Sequence, residues 1–552
     1  MVRGLGKRSF AGTPIFAKAL PLVALAIKLD FTAKDEEVSG VSLGIFAVRL
    51  TQKCRLLPRK QTAALLARWE VKGRPEAVLL SRWRPKSPSP RAISAGIPAN
   101  NGGAQVCRPR RGPATAACWP LQGPYWKEEL MQHLDITLAD FRELSGLTLK
   151  DRLCGYYGWQ SARRRDGSWA YDKTLHSAPL PNSSMVDGCG RHVKGPNYCS
   201  QDYLSLAKHD CIREAAITAL HEFGAHSAGS SALLGNTLIS RKLEAELAEF
   251  LGYEHVLLFP TGWAAGYGVV KCLVRSDDWV VMDALNHACL QEGARAATPK
   301  VASVPHLDND AFERRLARIR AKYPSSLVLA VTESIFSMDS DTPDLRRFLD
   351  ICRKYDAVSL VDVAHDLGCL GPRGLGHLEV QNAVSCPDLL IGSFSKTFAS
   401  NGGFVAMKDA ATKEYLKMYS CPQTFSNALS PIQVAIVRAA LRIVTSGEGA
   451  RRREQLYGNS EYLRSLLTGN GFICLGGPSA IVPVLLGQDG PARVLWQTLS
   501  SNGIASNLVE FPGVAVNRAR IRLQVQSSHT REDADFFVKK LAAARDSIIK
   551  GD

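Results

Sequence analysis

Apolar and polar positions alternate between a helical period and a strand period from about residue 207 onwards. Leu243, Leu247 and Leu251 recur every four residues, so we expect one face of an amphipathic helix over Arg241–Leu251. Short apolar runs that end at polar or small residues predict the strands that follow: His255–Phe259, Trp279–Asp283, Leu327–Thr332, Ala357–Asp362 and Asp388–Ile391. This alternation predicts an α/β domain on a mainly parallel sheet, over residues 207–445.

The ends of these strands predict where a ligand binds. In open α/β sheets, ligands bind in the crevice outside the carboxyl ends of the strands. The residues expected to face that crevice are Thr261, Asp283, Glu333, Asp362 and the Ser393–Lys396 turn.

Two further regions flank this domain. Beyond about residue 445 a helix, the strand Ala480–Leu486, another helix and the strand Ala519–Val525 predict a smaller C-terminal α+β domain over 446–552. We expect residues 121–206 to form an N-terminal arm with a hairpin turn near Val186–Val193.

The charge of the chain is concentrated at its N-terminus. The formal net charge is +16, but residues 1–120 hold 21 Lys and Arg against 6 Asp and Glu, which leaves 47 against 46 for the rest. Phosphate binding needs a clustered basic surface, and the basic residues of the body are interspersed with acids. We therefore expect no nucleic acid as a partner.

Residues 1–120 are rich in Pro, Gly and Arg without a sustained period, so we expect a mostly disordered basic leader. Its first 29 residues carry no acid, which resembles an organelle-targeting segment or reflects a start codon placed too early. The apolar run Ala19–Ile27 is far shorter than the roughly 20 residues that cross a bilayer. We expect a soluble, cytoplasmic protein without a transmembrane segment, unless the leader directs it to an organelle.

The fourteen cysteines predict reduced thiols rather than a disulfide scaffold. No CxxC pair occurs, and Cys189, His192 and Cys199 fit no common zinc spacing. We expect no metal site.

Lys396 lies in a small-residue turn directly after the apolar strand that begins at Asp388. Buried beside hydroxyls, with no acid in the segment between, a lysine has a lowered pKa and can form a Schiff base. The alternative is an ordinary surface lysine that follows a strand.

Three other segments suit a phosphorylated aromatic cofactor, although each also has a structural interpretation. A pyridinium nitrogen would satisfy Asp362 at the end of its strand, as would a structural cap. The free N–H groups at Thr261–Trp263 favour a phosphate, or simply begin a helix. His287 could stack on a ring, or fill an ordinary structural position.

Together these segments occur in an order that resembles the fold type I pyridoxal-phosphate enzymes, and within them the α-oxoamine synthase family. The resemblance extends from about Ser200 to Thr530. It is carried by Ser200–Leu206, Thr261–Trp263, Asn286–Ala288, Glu333–Asp339, Asp362–His365, Gly371–Gly376, Gly392–Lys396, Arg520–Arg522 and His529–Thr530.

The resemblance implies a role for each matching residue. Lys396 would be the Schiff-base lysine, Asp362 the partner of the pyridine nitrogen, His287 the residue stacked on the ring, and His365 a hydrogen-bond partner of the phenolic oxygen. The phosphate would be held by Thr261, Gly262, Trp263 and Ser393, with Ser337 near the ring. Arg522 would bind the substrate carboxylate, with Arg520 as the reserve.

Three positions depart from the family pattern. Ser231 stands where an arginine is usual, Ser240 where a histidine is usual, and Gln201 where an asparagine is common. These positions lie on the substrate side of the family's pocket, so the resemblance does not identify the substrates.

The implied reaction is a decarboxylative condensation of an amino acid with an acyl thioester, carried by coenzyme A or a carrier protein, to give an α-amino ketone. The resemblance also implies a homodimer with a shared active site, in which Phe425–Pro431 reaches the partner's phosphate. The alternatives are an aminotransferase or lyase of the same fold, or a non-catalytic partner subunit.

Overall fold

The computed structural model describes residues 136–142 and 144–550, with side chains to residue 548. The predicted leader, residues 1–120, lies outside the described residues. After a 3₁₀ helix at Leu138–Phe141, the helices are α1 (Leu149–Arg165), α2 (Asp210–Phe223), α3 (Leu238–Leu251), α4 (Gly262–Leu273), α5 (Ala288–Ala297), α6 (Asn309–Lys322), α7 (Leu345–Lys354), α8 (His377–Val380), α9 (Ala410–Tyr419), α10 (Cys421–Phe425), α11 (Pro431–Val444), α12 (Gly447–Gly469), α13 (Asp489–Ser501) and α14 (Arg531–Lys550). The strands are β1 (Thr174–Leu175), β2 (Asn182–Val186), β3 (His192–Pro196), β4 (His255–Phe259), β5 (Trp279–Asp283), β6 (Val301–Val304), β7 (Val328–Glu333), β8 (Val358–Asp362), β9 (Leu389–Ser393), β10 (Gly403–Met407), β11 (Ile473–Cys474), β12 (Ile481–Gly487), β13 (Asn507–Val509) and β14 (Ala519–Gln524).

The largest described sheet has seven strands in the order β4-β10-β9-β8-β7-β5-β6. The pairs from β9 to β6 are parallel, whereas β10 is antiparallel to both of its neighbours. The prediction of a mainly parallel α/β sheet is confirmed. The sequence prediction missed the short strands β6 and β10. Strand β6 contains the exposed Ser303, and β10 begins within the pair Gly402-Gly403.

Helices cover both faces of this sheet because its strands are apolar on both sides. In β4, Val256 and Leu258 pack into one hydrophobic cluster together with Leu243 and Leu247 of α3. The alternate residues of β4 pack into a second cluster with α4 and α5. Side chains of a strand point alternately to opposite faces, so a continuous apolar run is what a sheet between two helical layers requires.

The smaller four-stranded sheet has the order β11-β12-β14-β13 and is antiparallel throughout. Its central strand β14 is buried along its whole length, with Ile521 and Leu523 in the hydrophobic core and Arg520, Arg522 and Gln524 at the alternate positions. The predicted boundary near residue 445 falls in the connection between α11 and α12. The division into domains remains a prediction.

The N-terminal arm is joined to the C-terminal part of the chain by a buried carboxylate. Glu510 pairs with Arg163 of α1 at 3.1 Å and with Arg493 of α13 at 2.6 Å, and it accepts a hydrogen bond from Tyr171. Because the removal of one partner from such a cluster leaves a buried charge uncompensated, these contacts hold the arm in one position. Within the described part of the chain, no helix is long and apolar enough to span a membrane.

A clamp of three side chains fixes the carboxyl edge of the large sheet. His306 lies 2.9 Å from Asp283 at the end of β5 and 3.1 Å from Asp341 in the loop after β7. Hydrogen bonds to the two carboxylates outweigh burial and raise the pKa of His306 to about 10. The two loops that follow β5 and β7 are therefore joined by an imidazolium at neutral pH.

This clamp predicts that stability falls as the pH rises. The pKa of His306 is about 10 when folded and near 6.5 when unfolded, so its contribution is complete below about pH 6.5 and is lost as the pH rises through 10. We expect the free energy of unfolding of the wild type, relative to that of His306→Gln, to fall by about 1–3 kcal/mol between pH 6.5 and 9.5. Urea denaturation of both proteins at both pH values measures these free energies. A difference between wild type and His306→Gln that does not vary with pH would contradict the clamp.

Candidate active site

A cavity of about 260 Å³ lies at the carboxyl ends of the central strands, where the connections after β4, β5, β8 and β9 converge. Eight residues predicted from the sequence line it: Thr261, Gly262, Trp263, His287, Asp362, His365, Ser393 and Lys396. Of the two remaining predicted residues, Arg522 is buried close by and Ser337 lies half-buried in the turn after β7, outside the lining. Asp283 does not face the cavity, contrary to expectation, because the clamp and the N–H of Leu307 occupy its carboxylate.

The turn after β9 delivers Lys396 into this cavity. Its amine makes no hydrogen bond or ion pair with any described residue, although buried charges surround it. Burial lowers the pKa of Lys396, Asp362 and Glu333 oppose that shift, and Arg522 adds to it. A lysine in this environment holds its proton less tightly than a surface lysine, which favours the amine as nucleophile or base.

Two carboxylates lie side by side beneath the lysine. Glu333 ends β7 and Asp362 ends β8, and the parallel register pairs these two residues directly. Burial raises the pKa of Asp362, and burial together with the charge of Asp362 raises that of Glu333 well above its usual value. Both carboxyl groups therefore hold a proton more readily than a surface carboxyl group does. Asp362 accepts one described hydrogen bond, from the N–H of Ala364 at 2.9 Å.

His287 caps the N-terminus of α5 with a fixed tautomer. Its Nδ1 accepts from the N–H of Cys289 at 3.3 Å and lies 3.0 Å from the Sγ of Cys289. Burial lowers the pKa of His287 and raises that of the Cys289 thiol, so both side chains are neutral. With Nδ1 as the acceptor, the proton of the ring lies on Nε2. Sequence reasoning missed Cys289, since nothing in its pattern distinguishes it from a core cysteine.

His365 is also neutral, because burial and the nearby cations Lys396 and Arg522 lower its pKa well below the usual value. Its Nδ1 lies 3.0 Å from the hydroxyl of Tyr203, a residue within one of the segments that carry the resemblance. The side of the cavity at β8 thus presents a carboxylate and an uncharged imidazole.

The start of α4 forms a cradle that suits a phosphate. A Cβ on Gly262 would lie 2.5 Å from the Cβ of Ser393, so only glycine allows this approach between α4 and β9. The N–H groups of Gly262 and Trp263 donate to no described acceptor, and the helix dipole adds partial positive charge there. With the Ser393 and Ser395 hydroxyls beside it, this cradle fits the phosphate of a cofactor whose ring reaches Asp362.

The two C-terminal arginines differ in their partners. Arg520 forms an ion pair with Asp339 and donates to the carbonyl of Met338 at 3.1 Å. Arg522 is only 8% exposed, yet its Nε and Nη2 have no partner among the described residues. Burial lowers the pKa of Arg522, and its charge affects both Lys396 and His365. Arg522 is therefore available to an anionic ligand, whereas Arg520 is already paired.

Two of the three departures from the family pattern, Ser240 and Ser231, have local structural roles. Ser240 completes a capping box with Thr237 at the start of α3, where the two hydroxyls lie 2.9 Å apart. Ser231 is buried in a tight turn, and its carbonyl accepts from Asn236 at 3.1 Å. Neither residue lines the cavity.

Comparisons with known proteins agree with this geometry. The family model described as Aminotransferase class I and II matches residues 195–541. The 8-amino-7-oxononanoate synthase of Thermoanaerobacter pseudethanolicus is 33% identical over 366 residues, which cover 66% of this chain and 90% of that enzyme. The enzyme of Klebsiella pneumoniae with the same name is 35% identical over 348 residues, covering 62% and 88% respectively.

Solved structures give the same picture. A serine palmitoyltransferase with pyridoxal phosphate is 25% identical with a TM-score of 0.68, covering 73% of this chain and 99% of that chain. The serine palmitoyltransferase of Sphingomonas wittichii is 25% identical with a TM-score of 0.67 and the same coverage. The chain therefore belongs to the α-oxoamine synthases of the class I and II aminotransferase family, which are pyridoxal-phosphate-dependent C-acyltransferases of fold type I.

Proposed function

We propose that this enzyme condenses an α-amino acid with an acyl thioester and releases carbon dioxide, free thiol and an α-amino ketone. One observation carries the proposal: the half-buried amine of Lys396 and the buried guanidinium of Arg522 have no partner among the described residues and lie within electrostatic reach of the carboxylate pair. The arrangement suits a substrate that brings both a carboxylate and an acidic C–H bond. The relatives' substrates are not assigned to this chain, because Gln201, Ser231 and Ser240 depart from the family pattern.

Each cavity residue has a proposed role towards pyridoxal phosphate. Thr261, Gly262, Trp263 and Ser393 hold the phosphate at the start of α4. Asp362 pairs with the pyridine nitrogen and His287 lies against the ring. The role of Ser337 near the ring remains a prediction.

When bound, the cofactor supplies an electron sink that weakens the Cα–H bond of the amino acid. Arg522 holds the substrate carboxylate, and the lowered pKa of Lys396 lets its amine take the Cα proton. Because the charge of Asp362 raises the pKa of Glu333, this pair favours a single negative charge.

Product analysis tests the reaction. Holoenzyme incubated with a panel of amino acids and acyl-CoAs is expected to release carbon dioxide and free thiol in equal amounts, with an α-amino ketone detected by mass spectrometry. Lys396→Ala should lose this activity by at least about 10³-fold because the base is absent, whereas the exposed Lys408→Ala should retain it. Transfer of the amino nitrogen to a keto acid would identify an aminotransferase instead. An active Lys396→Ala enzyme, or an inactive wild type, would refute the proposal.

Substitution of each of the two arginines should have a different effect on amino-acid binding. Arg522→Gln is expected to weaken amino-acid binding by about 10–100-fold, because a buried charge-assisted contact with the carboxylate is lost. Arg520→Gln should leave this affinity within about threefold and lower the midpoint of thermal unfolding, since its own partner is Asp339. Spectral titration of each holoenzyme with the amino acid measures both affinities. Equal losses in the two variants would contradict the assignment.

We also propose that two copies of the chain form a homodimer through an apolar patch of Leu233, Leu234 and Phe425. These side chains are 81%, 89% and 85% exposed. The patch is one surface, because the N–H of Ala232 donates to Gln423 at 3.2 Å and that of Ala428 to Gly229 at 2.9 Å. Exposed apolar side chains in such a cluster mark an interaction surface, and the segment predicted to reach the partner's phosphate begins here.

Sedimentation velocity tests the dimer. Leu234→Asp is expected to sediment as a monomer because it places a charge in an apolar interface, and its activity should fall with the loss of the shared site. Ile473→Asp is the matched control, since Ile473 is exposed on the edge of the smaller sheet and outside the patch. A Leu234→Asp protein that remains dimeric would exclude this interface.

A further inference from the structure

The role of His365 depends on which ring nitrogen carries its proton. Its Nδ1 lies 3.0 Å from the hydroxyl of Tyr203, so Nε2 is the nitrogen left for the cavity that His365 lines. A neutral imidazole has one donor and one acceptor nitrogen. Only the tautomer with the proton on Nε2 can donate towards a phenolic oxygen in the cavity.

The hydroxyl of Tyr203 has one proton and two hydrogen-bonding neighbours among the described residues. The second neighbour is the side-chain amide of Gln524, with its oxygen 3.3 Å from the hydroxyl of Tyr203. If Tyr203 donates to Gln524, then His365 must carry its proton on Nδ1 and presents a bare Nε2 to the cavity. If Tyr203 donates to His365 instead, Nε2 carries the proton.

The orientation of the Gln524 amide decides between these two states. With its oxygen towards Tyr203, the Nε2 of Gln524 is a buried N–H group without a partner in the described part of the chain. The amide oxygen and nitrogen have nearly the same shape, and their placement follows from the hydrogen bonds around them. The reversed amide donates its N–H to Tyr203 and leaves an unpaired oxygen, which is tolerated better than an unpaired N–H.

We propose that Gln524 and Tyr203 are positioning residues that fix His365 as a donor: Gln524 Nε2–H donates to the Tyr203 oxygen, and the Tyr203 hydroxyl donates to His365 Nδ1. This role rests on the proposed function, in which His365 Nε2–H meets the phenolic oxygen of pyridoxal phosphate. Gln524 and Arg522 occupy alternate positions of β14 and so lie on the same face of that strand. One strand of the smaller sheet therefore supplies both Arg522, the partner of the substrate carboxylate, and Gln524, the residue that sets the tautomer of His365.

The tautomer can be observed without cofactor or substrate. In protein labelled with ¹⁵N-histidine, the His365 signals are those lost in His365→Gln. In the wild type they are expected to show a protonated Nε2 and a bare Nδ1. Tyr203→Phe should give a mixture of tautomers. Gln524→Glu should favour the proton on Nδ1, because a carboxylate can only accept from Tyr203.

The bound cofactor gives a second measurement. Without the donor to its phenolic oxygen, the pKa that governs the visible band of the unreacted holoenzyme should rise by about half a unit or more in Tyr203→Phe. Tyr253→Phe is the control, because it removes the hydrogen-bonded hydroxyl of another buried tyrosine, which donates to the carbonyl of Pro387 at 3.0 Å. The control should leave both the pKa and the His365 signals unchanged.

A wild-type His365 protonated on Nδ1, or a Gln524→Glu variant with the wild-type tautomer, would overturn the proposed hydrogen-bond relay from Gln524 through Tyr203 to His365. Equal shifts in Tyr203→Phe and Tyr253→Phe would do the same. Because the NMR experiment uses protein without cofactor, failure of the relay can be distinguished from failure of the condensation reaction.

Discussion

The active site depends on the burial of ionisable groups whose charges need one another. Arg522, Asp362 and Glu333 are buried and Lys396 is half-buried, and the loss of hydration is the largest influence on the pKa of each. An isolated buried charge would destabilise the fold, whereas a group that contains both positive and negative charges is tolerated. The parallel register that sets Glu333 beside Asp362 fixes the negative side, and the turn after β9 and strand β14 bring the two cations to it. The two cations have no described hydrogen-bonded partner, so they are available to a ligand.

The two imidazoles of the site are neutral, so the position of the single ring proton decides what each one can donate to. Cys289 fixes the proton of His287 on Nε2, because its N–H and thiol both approach Nδ1. In the relay proposed above, Tyr203 does the same for His365. Both imidazoles then present an N–H group to the cavity, one from the end of β5 and the other from the end of β8. The His306 clamp supports the first of these by holding the loop that begins at Asp283.

Much of this site could be predicted from sequence because strand ends are predictable. The apolar runs that became β7, β8 and β9 end within two residues of the predicted positions, and eight predicted residues line one cavity. Asp283 was the exception, since its partner His306 lies on a later connection that no local pattern links to it. The choice of Arg522 over Arg520 depended on the family resemblance, because both lie on the same face of β14. Only the fold reveals that Asp339 occupies Arg520.

Hydrogen exchange at Cα would show whether Lys396 moves a proton from a substrate held by Arg522. Common α-amino acids deuterated at Cα would be incubated with holoenzyme in light water, without an acyl thioester, and followed by proton NMR. The wild type is expected to exchange the deuterium of at least one amino acid, whereas Lys396→Ala is expected to exchange none. Exchange that survives in Lys396→Ala, or a wild type that exchanges none of them, would contradict it.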